Sequence, residues 1–271
     1  MNDNGANRIR QTNLKRLYET PPWDWPEAAD KIFLEILSDN HADSSDRILT
    51  AELAGDFTVI NDKLVDVLLT ILQNEDESEE LRGRAAISLG PILEYADTSG
   101  FEDPDDNPIS EDTFRNVQKS LRRLYQDAAV PNNVRRQILE ASVRATLDWH
   151  QDAIRTAYSS DDEDWVLTSV FSMRWVRGFD KQITESLDSS NRDVHFQAVC
   201  AAGNWEVDTA WSHISGLISK KVTDKPLLLA AIEAAAVIRP EEAGLVLLDL
   251  TDSDDDDIAG AANEAMAMAD D

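Results

Sequence analysis

Cysteine is nearly absent: Cys200 is the single one in 271 residues. An intramolecular disulfide framework is therefore excluded, and the expected compartment is a reducing cytoplasm. Lysine is scarce as well, eight against 17 arginines, while 34 aspartates and 19 glutamates bring the net charge to −28. That balance argues against binding DNA or RNA in general, since phosphate affinity is carried by lysine and arginine. Ten glycines are spread without any phosphate-cradling loop. Long apolar runs are missing too. The longest, over residues 227–238, is interrupted by Glu233 and is too short to span a bilayer. The start, MNDNGANRIRQ, has no apolar stretch of the kind a secretory leader needs. The expectation is a cytoplasmic protein without a membrane segment.

The acid surplus has two readings. It is a surface for basic partners, or a decoy imitating nucleic acid; or it is a solvated surface suited to high ionic strength. The second is preferred, because most of the acid sits in turns and helix starts, where it caps amides and opposes the helix dipole.

What the chain has in quantity is one repeated helical pattern, clearest at residues 78–96, SEELRGRAAISLGPILEYA. This stretch reads as one buried helix. Leu81, Ala85, Ser88 and Leu89 share a face made of small residues, so a second helix can approach closely. Pro91 removes an amide and is expected to kink that helix or begin its last turn anew. The pattern returns at Val134, Ile138 and Ala141; at Val166, Val170 and Met173; at Val194, Ala198 and Ala201; at Leu227, Ala231 and Ala234; and at Ile258, Ala262 and Ala265. A poorer copy starts at Ile48 and runs into Glu52 and Gly55. Steps between first anchors are 33, 53, 32, 28, 33 and 31 residues. Each copy follows another amphipathic segment, such as Leu64, Val67, Leu68 and Ile71. Two helices per unit at this period define a helical repeat array.

The unit resembles the HEAT repeat, whose second helix carries an Asp, then Val or Leu followed by Arg, then Ala-rich positions. Asp76, Leu81, Arg82, Ala85, Leu89 and Gly90 match best. Val134 and Arg135 match partly, with Ala129 at the Asp position, so the side-chain ladder is expected to break there. Later copies place His195, Leu228 and Ala259 in the arginine slot. The resemblance covers roughly residues 24–269 and implies an all-α fold, an α-solenoid of about six to seven stacked hairpins. Residues 1–22 are read as an arm or short helix containing Ile9, Leu14, Leu17 and Tyr18. Residues 23–271 form the array, with an acidic insertion at 97–112. Pro26 suits a first helical turn, Asp24 with Glu27 resembles a capping box, and Trp23 and Trp25 are expected to cover the open end.

Two groups of residues depart from the background. Between Arg115 and Arg144 lie seven bases and only two acids, Asp127 and Glu140. Arg115, Lys119 and Arg122 share a face opposite Phe114, Val117, Leu121 and Leu124. Such a band suits an acidic peptide or a phosphate; equally, its arginines pair with acids of neighbouring repeats. Tryptophans 149, 165, 175, 205 and 211 form the second group, with the run Met173-Arg174-Trp175-Val176-Arg177 combining the two residue types most frequent at binding hot spots. Most of these tryptophans are expected to fill gaps between helices, with Trp175 and Trp205 reaching the surface.

Catalytic and metal patterns fail. Asp103, Asp105 and Asn107 begin a calcium loop, but Pro108 and Phe114 occupy its turn and closing positions; Asp252, Asp254 and Asp256 then meet Asp257 and Asn263. Histidines 41, 150, 195 and 213 look scattered, without metal spacing. His195 and Cys200, five apart on one helix, do not face each other. No metal, cofactor or catalytic residue is expected.

The function expected from the sequence is a non-enzymatic protein-binding scaffold, without nucleic-acid or membrane partners. Its contacts are Arg82, Arg122, Arg135, Arg136, Arg174, Trp175 and Trp205, on a concave face lined by second helices. The resemblance also admits a HEAT-like enzyme, such as a bilin lyase or a DNA glycosylase with a basic groove. An acidic nucleic-acid mimic that captures basic proteins is the remaining alternative.

Overall fold

A computed structural model describes residues 14–103, 107–220 and 224–269. Among the described residues there is no strand. After a helical turn over residues 14–19, fifteen α-helices follow, and fourteen of them pair into seven hairpins. The chain divides into two compact units, Met1–Leu147 and Asp148–Asp271.

The first unit holds α1 (Ala29–Ser38) with α2 (Ser44–Leu53), and α3 (Asp62–Gln73) with α4 (Glu79–Ser88). An extra helix, α5 (Gly90–Ser99), precedes the pair α6 (Glu111–Gln126) and α7 (Asn132–Ser142). The second unit holds the pairs α8 (Trp149–Tyr158) with α9 (Glu163–Ser172), and α10 (Asp180–Ser186) with α11 (Arg192–Asn204). Then come α12 (Trp211–Ser219) with α13 (Lys225–Ile238), and α14 (Pro240–Leu247) with α15 (Asp256–Ala269). Second helices stack in a row within each unit, α2 on α4 on α7 in the first, and α9 on α11 on α13 on α15 in the second. Each unit is thus an α-solenoid, as the 3.6-residue pattern predicts.

Helix starts are set by polar caps. Asp43, Asn61, Ser78, Ser110, Asp162 and Asn191 each accept an amide of the helix they precede. Each such cap contributes about 1 kcal/mol. Part of the acid surplus therefore serves local structure. The anchors form the core: Leu81, Ala85, Leu89, Val134, Ile138, Val194, Ala198, Ala231 and Ala262 are buried. Val166, Leu227 and Ile258 are only half-buried.

Three local expectations change. The stretch 78–96 is two helices: α4 stops at Ser88, and α5 begins at Gly90 with Pro91 in its first turn. Proline has no amide to donate and its ring crowds the carbonyl four residues back, so α4 cannot continue. In the first copy, Arg47, Thr50, Ala51 and Ala54 are buried, whereas Ile48 is half-buried and Glu52 exposed. The face there sits one residue before the anchor proposed from sequence. At the amino end, Pro22–Asp24 is a 3-10 turn and α1 starts only at Ala29, with no side-chain cap. Trp25 docks, stacking edge-on against Phe33 and donating its indole N–H to the carbonyls of Leu17 and Thr20 at 2.9 Å. Trp23 is 78% exposed. Leu14 and Leu17 are buried in the core, while Ile9 lies outside the described residues.

Small residues permit the close stacking of second helices. At Gly55, just past α2, an added Cβ would lie 2.6 Å from the Ser88 carbonyl oxygen. Gly244, inside α14, has nothing within 4 Å of that position. Gly55→Ala is therefore expected to destabilise the chain by about 1–3 kcal/mol through forced backbone displacement. Gly244→Ala is expected to stabilise it by about 0.5–1 kcal/mol. Urea denaturation of the two variants checks both signs.

Candidate partner-binding site

The residues expected to bind a partner separate into two kinds. Arg82 is 4% exposed and donates from Nε to the carbonyl of Leu72 at 3.0 Å. Arg135 donates from Nε to the carbonyl of Tyr125 at 2.7 Å and stacks on that ring at 5.4 Å. Arg47, missed in the sequence, donates from Nη2 to the carbonyl of Leu37 at 3.3 Å. Each arginine thus reaches back ten residues to the last turn of its hairpin's first helix, satisfying a carbonyl the helix end leaves open. These side chains hold hairpins together; Arg82 is buried and so leaves the contact surface, while Arg135 stays half-buried.

A second set of ties runs from one repeat to the next. Arg47 makes a bidentate pair with Glu77 at 2.7 and 2.8 Å. Arg192 pairs with Asp224 at 3.1 Å, and Lys225 with Asp255 and Asp257, both at 2.7 Å. In each case a base near the start of one second helix meets an acid at or before the start of the next. The acid at the ladder position is Glu77, not Asp76, which is exposed. In the next repeat the residue five before Arg135 is buried Val130, and Arg82 has no acidic partner among the described residues. The stretch 252–263, weighed above as a calcium loop, holds the ladder acids for Lys225, Asp255 and Asp257. Of the other candidate loop, Asp105 lies outside the described residues.

The basic band is partly neutralised. Arg115 pairs with Glu111 at 2.5 Å, Arg144 with Glu94 at 2.6 Å, and Arg136 reaches Glu140 at 4.0 Å and Asn133 at 3.1 Å. Burial raises the Glu140 carboxyl above its usual range, against the opposing pull of Arg136 and Arg144. Arg123 bonds Gln73 at 3.2 Å. Lys119 and Arg122 are exposed on α6 and make no ion pair among the described residues; they line an open groove with Gln73, Asn116 and Gln126. Since α6 is a first helix, Arg122 does not stand on the second-helix row.

In the second unit the sequence-selected residues do converge. The turn over 173–178, between α9 and α10, is pinned by three side-chain donors. Trp205 Nε1 bonds the carbonyl of Met173 at 2.5 Å, Asn204 Nδ2 that of Arg174 at 3.1 Å, and Gln151 Nε2 that of Arg177 at 3.1 Å. Gly178, at φ +94°, supplies the left-handed residue that ends the turn. On this frame Arg174 lies over the rings of Trp175 and Phe171 at 5.1 and 5.9 Å, and exposed Arg177 lies over Trp205 at 4.6 Å. Arg174 bonds Gln197 at 3.3 Å, while its Nε is buried without a hydrogen-bond partner in the structure. Among the described residues neither Arg174 nor Arg177 meets a carboxylate. Trp149, Trp165, Trp175, Trp205 and Trp211 are all half-buried. Trp211 lies under Arg239, itself bound to Asp208 and Glu242.

The histidines are not all scattered. His195 on α11 and His213 on α12 meet Nε2 to Nε2 at 2.8 Å, their rings at 84°. Eighteen residues of sequence hide this contact, because it depends on how a hairpin leans on its neighbour. Burial lowers the affinity of both imidazoles for a proton; Lys220 adds to this for both, His213 adds to it for His195, and Asp188 opposes. The unfolded chain therefore takes up more protons than the folded one on acidification. The pair's contribution to stability is complete above the ordinary histidine value of about 6.5 and is lost as pH falls through the lower folded values. Thermal denaturation between pH 8 and 5 is expected to show a fall in Tm that is smaller in a His195→Gln/His213→Gln double variant. Equal slopes would show that the pair carries none of it.

No protein-family model matches this chain, and neither does any curated protein. Among solved structures, the Escherichia coli protein YibA is similar at 15% identity over 98% of this chain and 97% of that one, with a TM-score of 0.51. Human deoxyhypusine hydroxylase in complex with glycerol aligns at 13% identity over 98% of each chain, TM-score 0.41. An engineered protein aligns at 17% identity over 89% of this chain and 96% of that one, TM-score 0.36. The likeness to YibA supports the fold, a HEAT-like helical solenoid, and says nothing of activity. No helix among the described residues is long and apolar enough to cross a membrane.

Proposed function

We propose that this chain is a cytoplasmic, non-catalytic protein-binding scaffold, and that the 173–178 turn with Trp175 and Trp205 receives an acidic segment of its partner. One observation carries the reading. In a chain with 53 acidic residues, Arg174 and Arg177 are held against aromatic faces and lack carboxylate partners among the described residues. Arg177, exposed over Trp205, keeps its planar edge open for a bidentate carboxylate, while half-buried Arg174, bonded to Gln197, adds charge beside it. A turn fixed by three side-chain donors loses little freedom on binding, so more of the contact energy reaches the affinity. Flanking tryptophans supply apolar area at the centre of the patch. Lys119 and Arg122 on α6 offer a second, more solvated contact for anionic groups.

The test is selection from a random peptide display library on the full chain. Asp- or Glu-containing peptides with an aromatic or aliphatic anchor are the expected winners, and they should fail to bind an Arg174→Glu/Arg177→Glu variant. Selection of basic peptides instead would support the acidic-mimic alternative and reject the proposed patch.

A further inference from the structure

We infer that the groove between α3 and α6, in the first unit, takes a single phosphoserine or phosphothreonine of a partner segment, gripped by Lys119, Arg122 and Arg123. The sequence sets Arg122 and Arg123 three and four residues after Lys119, and Asn116 and Gln126 continue the same stripe one turn to either side. The opposite face of α6, with Phe114, Val117, Leu121 and Leu124, is buried, so packing turns the whole stripe outward. Gln73, the last residue of α3, lines the groove with these bases. Its amide oxygen accepts from Nη2 of Arg123 at 3.2 Å. That bond holds the guanidinium in place without cancelling its charge, whereas carboxylates answer Arg115 and Arg144. Lys119 and Arg122 are exposed and make no ion pair among the described residues. The acids of α6 stand at its two ends, Glu111 and Asp112 in the first turn and Asp127 just past the last. Asp127 borders the groove, with its Oδ1 accepting the amide of Ala129 at 2.9 Å. Arg123, in the last turn, also offsets the negative end of the helix dipole.

The ligand follows from charge and length. A phosphomonoester carries about 1.5 to 2 negative charges at neutral pH and three acceptor oxygens, enough to engage all three bases. A carboxylate brings one charge and two oxygens, and each exposed ion pair contributes little in water. The dianion is therefore preferred over Asp or Glu in this groove. Nucleic acid fits less well. From Lys119 to Gln126 the stripe rises about 10 Å, and a longer polyanion would run on over a chain of net charge −28. This assignment names the anion for the second contact of the scaffold reading and rests on that reading for its peptide; the preference for phosphate rests on the groove alone.

Three fluorescent peptide pools with the same random flanks, centred on phosphoserine, serine or aspartate, are titrated with the full chain at neutral pH and low salt, and binding is read by anisotropy. The phosphoserine pool is expected to bind at least about tenfold more tightly than the other two. Lys119→Glu/Arg122→Glu should remove that difference, with circular dichroism unchanged because both side chains are exposed. Arg123→Gln should reduce it. Arg174→Glu/Arg177→Glu, which disables the contact for acidic segments, should leave the phosphoserine preference intact, so failure of one surface is told apart from failure of the other. Equal binding of the three pools, or a preference that survives Lys119→Glu/Arg122→Glu, would overturn the groove. Tighter binding of a single-stranded DNA oligonucleotide would assign it to nucleic acid, and displacement of the pool by inorganic phosphate at the pool's own affinity would make the free anion the ligand. Either result would overturn the phosphopeptide.

Discussion

Arg47→Met is expected to lower the free energy of unfolding by about 3–5 kcal/mol, the scale for removing one partner of a buried ion pair. The Arg47 side chain is 7% exposed and that of Glu77 13%, and two short hydrogen bonds join them. Removing the guanidinium strands a carboxylate out of water, which costs more than the pair itself contributes. Arg47→Met with Glu77→Leu should therefore recover most of the loss, because the stranded charge goes with its partner. Arg82→Met supplies the contrast. Arg82 occupies the same place one repeat later and likewise bonds a carbonyl ten residues back, with no acidic partner among the described residues. Its loss should cost about 1–3 kcal/mol, the scale for leaving one buried carbonyl unpaired. Urea denaturation monitored by circular dichroism measures all three. Equal costs for Arg47→Met and Arg82→Met would show that the tie between repeats adds nothing to the tie within one.

The same pair marks how far the sequence could be read. Helix faces were legible because burial imposes a 3.6-residue rhythm, and anchors such as Leu81, Ala85 and Val134 keep that rhythm even where repeats are degenerate. Turns impose none. The ladder acid is Glu77, one place beyond Asp76, since both positions lie in a turn where no face distinguishes them. The first copy shifted for a related reason. Its buried face includes Arg47 and Thr50, polar residues that an apolar pattern passes over, and Ile48 drew attention to the wrong row. The break at Gly90 was signalled by Pro91, but a full second helix after it was not, since proline suits a first turn as well as it ends a preceding helix. Arg174, Trp175 and Trp205 were legible by composition, whereas the histidine pair depends on helix packing that spacing does not encode. Arg82 and Arg135 were singled out by the repeat resemblance and turned out to face their own hairpins.

The arginines of the 173–178 turn carry the largest expected functional effect. For an acidic peptide selected on the wild-type chain, Arg174→Glu/Arg177→Glu should weaken binding by about 100-fold or more, if each central contact is worth about 2 kcal/mol and the two are not fully additive. Helicity should be unchanged, because the turn is held by Trp205, Asn204 and Gln151, not by the arginine heads. Two controls separate the contact from the general field of the chain. Arg155→Glu removes a base from α8 in the same unit, but Arg155 already pairs with Asp152 at 2.9 Å, so binding should hardly change. Arg174→Lys/Arg177→Lys keeps both charges and loses the flat stacked guanidinium, so it should retain part of the affinity, weakened by about tenfold. If Arg155→Glu were as damaging as the double reversal, attraction would come from net charge alone, and an acidic peptide would have no reason to prefer these two tryptophan-backed arginines. If the lysine variant bound as well as the wild type, the aromatic faces would serve packing within the unit, and the contact would reduce to two point charges.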